Sequence, residues 1–102
     1  MDDVNVNITT VCGKNIVTRE EGHKVLRLIL ELWEQGKPIV IDFDNVTIAS
    51  VSFIDEIFGK LAFQYPLAEL SSRIKVKNIQ EFDRALLNDI VKSRSRQKQL
   101  AA

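Results

Sequence analysis

Cysteine occurs once in this 102-residue chain, at Cys12, so no disulfide can close within it and a reducing compartment suits it. Cys12 is read as a buried or incidental thiol. Histidine also occurs once. His23 falls in the first turns of a helix, on its polar side, and reads as a surface residue rather than a general base. With no cluster of the two types there is no zinc spacing, and no metal or cofactor is expected. Gly13, Gly22, Gly36 and Gly59 are scattered, so no phosphate-cradling loop exists. Charge of one sign is missing too: fourteen basic side chains balance fourteen acidic ones, leaving no field to draw the whole chain to nucleic acid or a membrane. No apolar run approaches a membrane span, and the opening Met-Asp-Asp-Val-Asn lacks a basic-plus-apolar signal. A cytoplasmic location is expected.

What remains is an ordinary globular balance, 45% apolar and 27% charged, in a length that holds one domain. No repeat or linker divides it. Val4, Val6 and Ile8 alternate with polar residues, the period-two pattern of a half-buried strand. Cys12-Gly13-Lys14-Asn15 reads as a turn. Ile16-Val17 either adds a short strand or leads into the next helix. Thr18 with Glu21 matches a capping box, and the helix it opens ends near Gln35, stopped by Gly36. Its apolar face comprises Gly22, Val25, Leu26, Ile29, Leu32 and Trp33. A second helix is predicted from Ser52 to about Tyr65, ended by Pro66. Ile74 and Val76 mark another strand. A last helix begins near Ile79 and carries Phe82, Leu86 and Ile90. The βαβαβα order predicts an α/β domain with a mostly parallel or mixed sheet of four to five strands packed against helices. Its core spans about residues 4–91, followed by a basic tail at 92–102.

Residues 38–59, PIVIDFDNVTIASVSFIDEIFG, are the most informative stretch. Ile39, Val40, Ile41 and Phe43 suit a central strand buried on both faces, with Pro38 tolerated only at its start. Val46-Thr47-Ile48 reads as a brief extended piece. Ser52, three residues before Asp55, fits a helix N-cap with an acidic first turn. A hydroxyl there lies close to free backbone N–H groups, a place that can bind or carry an anion. Phe53 is expected to pack inward. Phe58, about 140° further round an α-helix, is expected to be partly exposed.

Asp42, Phe43, Val46, Ser52, Phe53, Asp55 and Glu56 match the strand-turn-helix signature of STAS-like domains of unknown function, which are related to the STAS domains of bacterial anti-sigma-factor antagonists. The resemblance covers about residues 17–91. It implies a STAS-like fold and a non-catalytic regulatory module, docking a protein partner around the corner at residues 50–56. In the related antagonists that partner is a serine kinase of the histidine-kinase-type ATPase class. Their loop reads Asp-Ser-Ser-Gly where this chain has Ser50, Val51, Ser52 and Phe53. Ser52 therefore stands where the phosphorylated serine would be, whereas the acid and the glycine have no counterpart.

Two other classes compete. One is an enzyme: Asp42, Asp44, Asp55 and Glu56 could gather in one acidic crevice at the carboxyl edge of the sheet, where α/β folds bind ligands, and even share a divalent ion. The plainer reading is turn-forming aspartates and acids that compensate a helix dipole. Lys92, Arg94, Arg96 and Lys98, with Arg73, Lys75 and Lys77, could contact nucleic acid, against the plainer reading of a frayed, solvated helix end.

Overall fold

The computed structural model describes residues 3–13, 18–46 and 49–101. In chain order the elements are β1 (Val4–Asn7), α1 (Ile8–Cys12), α2 (Arg19–Glu34), β2 (Ile39–Asp42), α3 (Val51–Ile54), a π-helical turn (Asp55–Gly59), α4 (Lys60–Gln64), α5 (Leu67–Arg73), β3 (Ile74–Lys77) and α6 (Glu81–Ala101). The strands pair in the order β1-β2-β3, all parallel, with Val4 opposite Ile39 and Ile39 opposite Ile74.

β2 is the central strand, as its apolar run predicts. Ile39, Ile41 and the following Phe43 are almost fully buried, while Val40 keeps partial access. Pro38 sits just ahead of the strand, where its missing N–H costs nothing, and its carbonyl accepts from Val4 N at 2.9 Å. Three strands form among the described residues, and the expected four to five are not shown. Two reasons stand out. Ile16-Val17 and most of the Val46-Thr47-Ile48 piece lie outside the described residues. The Val4–Ile8 alternation also stops one residue early, because Asn7 turns the chain into α1 by accepting from Thr10 N at 2.9 Å. Ile8 is thus a buried helical residue.

α2 follows its sequence closely. Thr18 Oγ1 accepts from Glu21 N at 3.2 Å, the six predicted positions are buried, and Gly36 exits at φ 74°. The next helix departs from expectation at three points. It starts at Val51, not Ser52, with Ser50 as the cap. It contains a π turn, in which one extra residue is spent on the same turn. That shifts Phe58 toward the place a residue four along from Phe53 would take, on the same side. Phe58 is accordingly 5% exposed and stacks on Phe43 with ring centroids 6.2 Å apart, correcting the expected partial exposure. Beyond Pro66 the chain does not go straight to a strand but winds α5, a helix too short to leave a periodic trace.

α6 begins at Glu81 and continues as helix through residue 101, so the basic segment extends the helix. Phe82 points outward and is exposed, while Leu86 and Ile90 pack partly against the core.

Candidate functional site

At the corner, Ser50 has extended backbone (φ −77°, ψ 159°) and its Oγ accepts from Phe53 N at 3.1 Å. Both serines fit the cap spacing; burial selects between them. Val46 and Ala49 are buried before the turn and Phe53 and Ile54 after it, so the chain must bend at Ser50 to sink both pairs. The assignment of Ser52 as the cap is therefore corrected. Ser52 lies inside the first turn with its side chain exposed, next to the exposed Val51.

Asp55 and Glu56 face into the molecule from the π turn. Asp55 accepts from Arg94 of α6 in bidentate fashion (Nη2 to Oδ2 2.6 Å, Nε to Oδ1 2.9 Å) and lies 3.6 Å from Arg19 Nη1. Glu56 is buried and meets three partners: Lys60 Nζ at 2.8 Å, His23 Nδ1 at 3.0 Å and Arg19 Nη1 at 3.1 Å. The arrangement needs two close approaches. A Cβ on Gly22 would come 2.9 Å from Phe53 O, so glycine lets α2 press on the π turn. A Cβ on Gly59 would collide with the Asp55 carboxylate, so glycine lets that group fold back over its own helix. Hydrogen bonds from Arg94 hold the Asp55 carboxyl below its usual range. For Glu56, burial alone would push the carboxyl up, but the donors Lys60, Arg19 and His23 outweigh it and the net direction is down.

Asp42, at the end of β2, belongs to a different cluster. It accepts from Asn78 Nδ2 at 2.8 Å and Asp44 N at 2.9 Å, with Lys77 Nζ 3.8 Å away. The Asn78 hydrogen bond leads in lowering its carboxyl below the ordinary aspartate range. Asp44 itself is exposed. The four acids thus do not share a crevice: one pair organises the loops at the sheet edge, the other ties three helices together. Among the described residues no group of three or more His, Cys, Asp or Glu side chains could hold a metal.

Of the other candidates, Arg73 and Lys75 are engaged structurally. Arg73 stacks over Trp33, 3.9 Å from the ring centroid, and donates to Trp33 O; Lys75 donates to Ser71 O. Cys12 ends α1, and burial with the neighbouring Glu21 pushes its thiol up to about 11, which makes it a poor nucleophile. His23, read from sequence as a surface residue, is a partner of Glu56. Lys60, four residues beyond Glu56, was the one network member with a spacing signal. Arg19, His23 and Arg94 come from 33 to 39 residues away and leave none.

A family model described as a STAS-like domain of unknown function (DUF4325) matches residues 21–84. No curated protein and no solved structure matches the chain. The match spans α2 through the first turn of α6, enclosing β2, the Ser50–Ser52 corner and the π turn. The chain belongs to this family of STAS-like domains of unknown function.

Proposed function

We propose that the protein is a non-catalytic regulatory module that docks a protein partner at the corner of residues 50–56, with Ser52 as the residue that phosphoryl transfer would switch. One observation carries this reading: Ser52 is exposed and does not cap its helix, because Ser50 does. Its hydroxyl is therefore available for chemistry without unravelling the helix start. Transfer from ATP would form the Ser52 Oγ–phosphorus bond and release ADP and a proton. The nearby acids do not forbid the added charge, since Asp55 and Glu56 already pair with Arg94, Arg19, Lys60 and His23. The partner class, a histidine-kinase-like ATPase with serine kinase activity, comes from the likeness to the antagonists. A cytoplasmic setting fits that partner; no helix among the described residues is long and apolar enough to cross a membrane.

The test is calorimetric titration of wild type, Ser52→Ala and Ser52→Asp against a histidine-kinase-like ATPase with serine kinase activity from the same organism. Ser52→Asp is expected to stay folded and to bind at least tenfold more weakly, about 1.4 kcal/mol. Wild-type affinity in Ser52→Asp would remove the switch from the proposal.

A further inference from the structure

We infer that Arg19 receives a phosphate carried by Ser52, leaving Asp55 and Glu56 for it when that serine is phosphorylated. The inference rests on the reading of Ser52 as a phosphoryl acceptor and names how the molecule responds to the modification. Ser52 lies three residues before Asp55 and four before Glu56, and the Asp55 N–H donates to the Ser52 carbonyl. That spacing sets the three side chains on one strip of helical surface, a turn apart. Ser52 is the exposed end of the strip, and Glu56, with a side chain 4% exposed, is the sunken end. Arg19, the first residue of α2, reaches this strip from the neighbouring helix. Its Nη1 stands 3.1 Å from Glu56 Oε1 and 3.6 Å from Asp55 Oδ2.

Of the cations around the two acids, Arg19 is the one they can spare. Asp55 holds Arg94 in a bidentate pair at 2.6 and 2.9 Å, so Arg19 is its more distant partner. Glu56 keeps Lys60 at 2.8 Å and His23 at 3.0 Å when Arg19 departs. Each acid thus retains a closer partner, and the exchange strands no buried charge. Arg94 cannot be spared in this way, since Asp55 has no second close cation. Lys60 is about two turns beyond Ser52, too far along the helix to serve. Arg19 is also half in solvent, and both of its ion pairs run through Nη1. A guanidinium offers five N–H donors in a fork that suits phosphate oxygens. A phosphate at pH 7 carries roughly twice the charge of a carboxylate and three strong acceptors, so it competes well for that fork. Phosphorylation then alters the corner in two ways. It adds charge that α2 partly neutralises, and it removes one tie between the start of α2 and the π turn.

The test needs neither a kinase nor a partner: phosphoserine is genetically encoded at residue 52 of the full chain. In nitrogen-15 NMR the Arg19 Nε–Hε signal is expected to move on phosphorylation. Ser52→Glu, a smaller charge at the same place, should move it in the same direction. In phosphorus-31 titrations the second phosphate pKa, ordinarily about 6, should rise by about 0.5 in Arg19→Gln. Arg19→Lys, which keeps the charge but not the fork, should raise it less. Arg27→Gln removes the same charge from an exposed site about two turns further along α2 and should leave the phosphate unchanged. An Arg19 signal that stays in place in both proteins would overturn the inference. So would a phosphate pKa that Arg19→Gln does not raise, or that Arg27→Gln raises equally. None of these outcomes touches the partner-binding test of Ser52→Asp, and wild-type binding there would leave the Arg19 contact standing. One experiment asks what the phosphate touches, the other whether a partner responds.

Discussion

Asp42 and the Asp55–Glu56 pair are acids held largely away from solvent on one small domain, by different means. Asp42 takes its main hydrogen bonds from an amide side chain and a backbone N–H, one of them two residues away and the other on the loop after β3. Asp55 and Glu56 are held by cations reaching in from α2, α4 and α6. The first arrangement fixes two loops at the sheet edge chiefly through neutral donors, with the Lys77 ammonium 3.8 Å away as a weaker partner. The second joins helices far apart in sequence through half-exposed ions, which makes it open to salt, acid and competing ligands. A regulatory surface is easier to build from the second kind.

The largest effects test whether packing or charge holds the π turn. Phe53→Ala and Phe58→Ala should each lower stability by about 3–5 kcal/mol in denaturant melts, because both rings are buried. If either costs less than removing Arg94, the ion network rather than the core sets the turn. Next, Arg94→Ala and Asp42→Ala should each cost about 1–3 kcal/mol in low salt. In about 1 M NaCl, where screening reaches within about 3 Å, the Arg94→Ala penalty should shrink and the Asp42→Ala penalty should persist. Equal salt sensitivity would erase the distinction between the clusters.

Acid should weaken both. Asp42, Asp55 and Glu56 have carboxyl pKa values below their ordinary ones, so each stabilises the fold above the unfolded value, about 4, and that contribution is lost as pH falls through the lower folded value. Asp83, which burial pushes up, runs the other way and is relieved by protonation. Melts between neutral pH and about pH 2 should show a net loss; a flat profile would mean the network carries little stability. The smallest effects separate the serines. Ser50→Ala should cost about 1 kcal/mol as a lost cap, and Ser52→Ala less than about 0.5 kcal/mol. The reverse order would restore Ser52 as the cap.

Local chemistry was readable from the sequence and tertiary selection was not. The apolar run of Ile39, Val40, Ile41 and Phe43, the Thr18 cap and the Gly36 stop each specify their own structure, and each forms as predicted except that Val40 keeps partial access. The Ser50–Ser52 choice depends on which residues the core can accept. The π turn has no local signature, and missing it misplaced Phe58. The four acids looked alike in sequence because their partners, Asn78, Arg19, His23 and Arg94, are distant in the chain.

The π turn also bears on how this segment tolerates change in length. A turn that carries one residue more than an α-turn is an insertion the helix has absorbed without altering its start or its end. Deleting a single residue from Asp55–Gly59 would let the segment rewind as ordinary α-helix and leave what lies beyond in its present register. A deletion within Lys60–Gln64 has no such slack and would rotate the rest of the helix by roughly 100°, carrying its buried face out of the core. Relatives of this chain should therefore tolerate one residue fewer within Asp55–Gly59 but keep a fixed count of residues between Lys60 and Pro66.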